Sequence, residues 1–418
     1  MEIEQASARR EVNSCGAPWV WPTVLLVSMW FVIRPSLLEA QAVPTSQRAA
    51  SQAPSAASSR SLATIPFELY GNQIFVRVRI NRSGPFWFVV DSGAGGWIVD
   101  RAHAVHLGLR LEQETASGTG AGSGSYDVAY VKDVTFSLSG FTIPVPLIGV
   151  IDLSKSLSQT GREIEGLIGY DFFERFIVEI DYEAKIIRLF DPKIYQYSGR
   201  GETLPITVDR EVRNPFLTAE ITVQGAPPQS RKLLIDTGSD DALDDSFVAK
   251  STGRQLEVIS GVGLGKEFKS TVGIVSRVKL GGVSFENVYA GAGGVALVGG
   301  EILRRFTVIF DYAHGHMILE PNQHLDEAFL WDASGIVSLR LVPESGKFLI
   351  NSVLQGSPAG EAGLREGDVI ESIDGLSSQH FTLQQVESIF HRLGAAHHLT
   401  VRRGKQLLEF DLILRKLL

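Results

Sequence analysis

The chain has 418 residues, of which 44% are apolar and 21% charged, and its formal net charge is -8. That length excludes a single ordinary domain, that apolar content excludes a disordered chain, and the acidic balance leaves no basic face for a nucleic acid. The lone cysteine, Cys15, excludes an intramolecular disulfide and, further along the chain, any cysteine nucleophile or cysteine-ligated metal site.

At the N-terminus, Arg9 and Arg10 precede an apolar run from Trp19 to Ile33, and Ala40-Gln41-Ala42 supplies a small-x-small cleavage pattern. The run falls short of the ~20 residues a spanning helix needs, so residues 1–42 are predicted to be an export signal. Arg34 and Pro35 follow it directly, which leaves an uncleaved anchor, a membrane tether through residues 19–33, as an alternative. The protein is expected to be exported, to a periplasmic or extracellular location. Residues 43–62 are dominated by Ala, Ser, Gln and Pro and are read as a disordered linker.

From there to residue 322 one unit occurs twice, over 63–200 and 201–322. Each copy opens on an alternating strand, Ile74–Ile80 and Leu217–Val223, and then an apolar strand. The apolar strands end in Asp91-Ser92-Gly93 and Asp236-Thr237-Gly238. Glycine-rich segments follow, 118–124 and 261–265. Each copy closes on an apolar-apolar-Gly step, a short helical stretch and a last strand. These closing blocks, 167–182 and 297–312, align without a gap at a constant offset of 130, while the aspartates are 145 apart. The first copy therefore carries extra loop length on a shared frame.

A third unit occupies 330–418. Ser357-Pro358-Ala359-Gly360 opens a short helix that ends at Gly363. Turns follow at Glu366-Gly367-Asp368 and Asp374-Gly375, with an apolar strand between them. Leu383, Val386, Ile389 and Phe390 share one face of an amphipathic helix. This stretch resembles a PDZ domain. The resemblance implies a groove that takes a peptide C-terminus, with Gly335-Ile336-Val337-Ser338 as the carboxylate loop.

A single Asp-Ser-Gly would be an ordinary turn. Two copies, each at the tip of an apolar strand, suit a paired-carboxylate hydrolase. Gly93 and Gly238 lack side chains that would hold the two loops apart, and the hydroxyls of Ser92 and Thr237 can bond across to the opposite loop. Asp91 and Asp236, once adjacent, cannot both ionise, so one serves as base and the other as acid. Ser239, which stands where the first copy has Ala94, is expected to bond the outer oxygen of Asp236 and leave the shared proton on Asp91.

Residues 65 to about 321 resemble the pepsin/retropepsin superfamily of aspartyl proteases, in the bacterial form that carries a C-terminal PDZ domain. The resemblance implies a mostly β fold, two acid-protease barrels followed by an α+β PDZ domain. It also implies Asp91 and Asp236 as catalytic dyad and a Gly-rich flap, for which both Gly-rich segments compete and to which Tyr126 would belong. The function expected is hydrolysis of peptide bonds by an activated water, without cofactor or metal, on polypeptide substrates that the PDZ domain recruits or regulates. The alternatives are a catalytically silent peptide-binding scaffold and a PDZ adaptor. The phosphate-loop and dinucleotide patterns around Gly261 and Gly291 lack their required flanks. His103 with His106, and His314 with His316, lack carboxylate-spaced partners in sequence and are read as surface histidines.

Overall fold

The structure, a computed structural model, describes residues 26–27, 60–112, 115–120, 125–263 and 266–418. The predicted signal and its cleavage site, all but 60–62 of the linker and the tips of both Gly-rich segments lie outside the described residues. From the apolar run of the leader only Leu26–Val27 is described, as two strand residues beside Thr119–Gly120. Among the described residues no helix is long and apolar enough to cross a membrane.

The fold is mostly β: two barrel-like lobes and a C-terminal α+β domain. In the first lobe, Gln73–Ile80 buries Val76, Val78 and Ile80 and exposes Arg77 and Arg79, so one face of the strand turns inward. It pairs with Ser83–Val90, and its far end also pairs with Ser125–Leu138, as Val78 with Leu138 and Ile80 with Phe136, which closes the sheet on itself. The second lobe repeats the plan. Asn214–Val223 pairs with Gln229–Ile235 on one side and Lys266–Leu280 on the other. In both lobes the strand from the apolar-apolar-Gly step is inserted in parallel at the tip of the aspartate strand, Leu167 opposite Val89 and Leu297 opposite Leu234.

The lobes share a third sheet, in the order 202–205, 316–321, 306–311, 177–181, 186–190 and 63–66. The closing strands Ile177–Asp181 and Phe306–Asp311 meet at its centre, antiparallel. Asp181 and Asp311 cap the turns that follow, accepting the amides of Ala184 at 2.8 Å and His314 at 3.0 Å. One apolar core runs through both lobes, with Phe172, Phe173, Phe306 and Phe310 almost fully buried. Full burial of such a side chain stabilises by about 1.5–3 kcal/mol.

The C-terminal domain has its own core and a sheet in the order 336–342, 347–353, 369–373, 396–403 and 406–413. Helix Leu383–Phe390 starts at Thr382 with a reciprocal capping box to Gln385. The helix Pro358–Ala362 ends at Gly363, whose φ of +98° suits a residue without a β-carbon. A separate apolar cluster joins this domain to the second lobe: Val258 and Val272 pack with Trp331, Val337, Leu417 and Leu418. The stretch between the two is held by arginines. Arg304 bonds Glu301 and Glu327, while Arg305, fully buried, bonds Glu301 and the carbonyls of His324, Leu325 and Glu327.

Candidate active site

Both aspartates are delivered by the same local device. An apolar strand fully buried at its end, Phe88-Val89-Val90 in one lobe and Leu233-Leu234-Ile235 in the other, carries the carboxylate out of the sheet. The inserted parallel strand then holds the next amide: Asp91 N–H donates to Ile168 O at 2.9 Å, and Asp236 N–H to Val298 O at 3.0 Å. Gly169 and Gly299 sit so close to the loops that a β-carbon at 169 would fall 2.6 Å from Gly96 O, and one at 299 would fall 3.0 Å from Ser239 Oγ.

Ser92 and Thr237 tie the two loops together. Ser92 N–H donates to Thr237 Oγ1 at 3.0 Å, and Thr237 N–H donates to Ser92 Oγ at 3.0 Å. Each hydroxyl then donates beyond the opposite loop, Ser92 Oγ to Ile235 O at 2.6 Å and Thr237 Oγ1 to Val90 O at 2.8 Å. All four partners are buried, so each bond shields a group that would otherwise lose water without replacement.

The Asp91 and Asp236 side chains are both fully buried and within hydrogen-bonding range of each other. Their Oδ1 atoms accept the amides of Gly93 and Gly238, each at 2.9 Å. A β-carbon at Gly238 would fall 2.6 Å from Asp91 Oδ1, so only glycine admits this approach. Burial, then the charge of Asp236, push the Asp91 carboxyl well above the usual carboxylate range. Ser239 is placed differently from the expectation. Its hydroxyl accepts the Asp241 amide at 3.2 Å, within the turn after Asp236.

Two carboxamides that sequence reasoning missed complete the frame. Gln73 of the first lobe donates to Gly238 O, and Asn214 of the second donates to Gly93 O at 2.8 Å. Each opens the first long strand of its lobe, just after a residue in the left-handed region, Asn72 at φ 62° and Arg213 at 61°. Those two residues also cross between lobes: Asn72 Nδ2 donates to Glu301 Oε2 at 3.0 Å, and Arg213 pairs with Asp171. Glu301 and Asp171 are counterparts at the 130-residue offset. A polar residue after a turn, once in each copy, was the only signal available.

The Gly-rich segments belong to hairpins, Thr115–Gly120 with Ser125–Leu138 and Gln255–Gly263 with Lys266–Leu280. The Tyr126 side chain, to which the flap expectation attached, lies outside the described residues. His103 does have carboxylate partners that its sequence spacing concealed. Its Nδ1 bonds Asp100 Oδ2 at 3.0 Å, and it lies with Glu163 and Glu165 in a group whose ligand atoms fall within 4.8 Å of one another. His314 bonds Asp311 in the turn that follows the closing strand.

Of the carboxylate-loop residues, Gly335 leads into the first strand of the C-terminal domain. Ile336 enters that domain's core, Val337 packs on the second lobe and Ser338 receives Asn351 Nδ2 at 3.3 Å. Gly335 N–H donates to Asp332 and Ile336 N–H to Ser334 Oγ at 2.9 Å.

The aspartyl protease family model matches residues 76–172, and the PDZ domain model matches residues 349–403. No curated protein matches the chain. The protein thus contains an aspartyl protease domain, to which the matched stretch contributes Asp91 and the Gly169 step, and a PDZ domain.

Proposed function

We propose that this protein is an aspartic endopeptidase, in which one site between the lobes hydrolyses peptide bonds of polypeptide substrates. The observation that carries this reading is the meeting of two buried carboxyl groups, one from each lobe, in a frame of reciprocal hydroxyl bonds. Asp91 and Asp236 share a proton because the low-dielectric setting and mutual repulsion oppose a second negative charge. A water held between them loses a proton to the ionised carboxylate as it attacks the peptide carbonyl. The protonated partner donates to the carbonyl oxygen, and the resulting diol collapses as the amine leaves with a proton. The glycine amides that donate to the two Oδ1 atoms hold the carboxyls in place through the cycle.

The PDZ domain, on this reading, binds a peptide segment by strand addition and so recruits substrate or regulates cleavage. Export through residues 1–42, with an optional tether at 19–33, places the activity outside the cytoplasm. The test is incubation of the purified chain with an unfolded protein between about pH 3 and pH 8, with and without a statine-type inhibitor. Inhibitor-sensitive cleavage in the wild type, absent from both Asp91→Asn and Asp236→Asn, is expected. Cleavage that survives either single substitution would show that the lobes do not share a dyad.

A further inference from the structure

The PDZ domain places its peptide-receiving edge against the protease. Strand Ile336–Val342 ends its sheet and, among the described residues, pairs with a strand on one side only, and helix Leu383–Phe390 lies against it. Between such a strand and helix a PDZ domain takes an extended peptide. Here the space already has an occupant from the first lobe. Helix Ser156–Thr160 packs along Ile336–Val342. The next residue, Gly161, presses on the helix wall: a β-carbon there would fall 2.6 Å from Leu383 Cβ and 2.9 Å from Tyr70 Oη. The Tyr70 hydroxyl in turn lies near Thr382 and the Gln384 backbone, at the start of that helix.

The carboxylate loop is occupied as well. The Gly335 and Ile336 amides already donate to Asp332 and Ser334, and Val337 is turned into the apolar cluster with Val258 and Val272. Burial pushes the Asp332 carboxyl, next to this loop, up to about 7.

The occupant is the extra length of the first lobe. Residues 152–165 join strands Phe141–Ile151 and Gly166–Ile168, whereas in the second lobe 292–296 make the same connection. The long version also ends at the dyad, since Ile168 O accepts the Asp91 amide.

We propose that segment 156–161 is an internal ligand of the PDZ groove, which keeps the domain closed against the first lobe. An extended peptide can then enter only when this segment leaves, and its departure loosens the connection that runs into the Asp91 strand. This proposal rests on the PDZ reading of the C-terminal domain, not on protease activity, so its test reads the groove directly.

Gly161→Arg in the full chain inserts a side chain where Leu383 and Tyr70 leave no room. Gly108→Arg provides the control, because Gly108 has a similar φ of +67° but open space around it. Tyr70→Ala removes the second contact without a backbone penalty. Hydrogen–deuterium exchange in Ile336–Val342 and Leu383–Phe390 is expected to rise about tenfold in Gly161→Arg and in Tyr70→Ala, and not in Gly108→Arg. Strands Lys347–Val353 and Phe306–Asp311 should exchange as in the wild type, which reports an intact fold. If either contact variant keeps those interior strands protected and leaves groove exchange at the wild-type rate, the segment is not holding the groove and the proposal fails.

Discussion

Glu179 and Ile309 face each other in the antiparallel pair at the centre of the molecule, and they are also counterparts in the two copies of the repeated unit. A residue paired with its own counterpart marks a two-fold axis. Val178 with Phe310, and Ile180 with Val308, follow as the flanking pairs. The same axis relates Asp91 to Asp236, Ser92 to Thr237 and Gln73 to Asn214, so each bond that holds one loop has a partner that holds the other.

The cross-loop hydroxyls should matter for both stability and turnover. Thr237→Val removes the acceptor for the Ser92 amide and the donor to Val90 O. Each buried group orphaned in this way costs about 1–3 kcal/mol. Thermal unfolding of Thr237→Val should show the loss, while Thr237→Ser, which keeps the oxygen, stays near the wild type. Equal melting of both variants would mean that the hydroxyl bonds carry no stability.

Gly238→Ala tests the close approach of the loops. The added methyl collides with the Asp91 carboxyl, and a displacement of about 1 Å at reacting groups can cost on the order of 100-fold in rate. Cleavage of a peptide substrate should fall by about that factor while circular dichroism stays unchanged.

The raised pKa of Asp91 has a definite sign in folding. The native state holds a proton that the unfolded chain releases, so this contribution is complete below the ordinary value of 3.8 and is lost as pH rises through the raised value. Asp91→Asn cannot ionise. It should melt above the wild type near neutral pH, and the difference should shrink as pH falls towards about 4. A gap independent of pH would remove the coupled titration from the account.

Arg305 is predicted to be the most sensitive residue of the connection to the C-terminal domain. It is fully buried, pairs with Glu301 and stacks at 3.9 Å on Phe329. Removing one member of a buried pair costs about 3–5 kcal/mol, because the other charge stays uncompensated. Urea unfolding of Arg305→Ala should show that loss. Arg305→Lys should recover little of it, since an ammonium cannot reach the several acceptors that the guanidinium serves.

Truncation before residue 331 should expose Val258, Val272 and Tyr289, which Trp331, Val337 and the C-terminal leucines cover. The shortened chain is expected to self-associate in size-exclusion chromatography, and Val258→Ser in that background should reduce the effect. A monodisperse truncated chain would mean that the cluster is not needed to shield the second lobe.

The amino-acid order by itself determined the duplicated β unit, the third domain and the two residues that stand at the strand tips. These rest on local physics: period-two alternation, apolar runs that end in a turn tripeptide, and glycine where the chain must turn or come close. Only the tertiary structure decided that Gln73 reaches Gly238, that Asn214 reaches Gly93, that Ser239 bonds Asp241, that His103 has carboxylates beside it and that helix Ser156–Thr160 packs on strand Ile336–Val342. Most of these contacts join residues far apart in the chain, and a side chain's choice among distant partners is made by packing, which has no period for a sequence to display. The Ser239 bond spans two residues only. Its geometry belongs to the turn after Asp236, against which Gly299 packs closely.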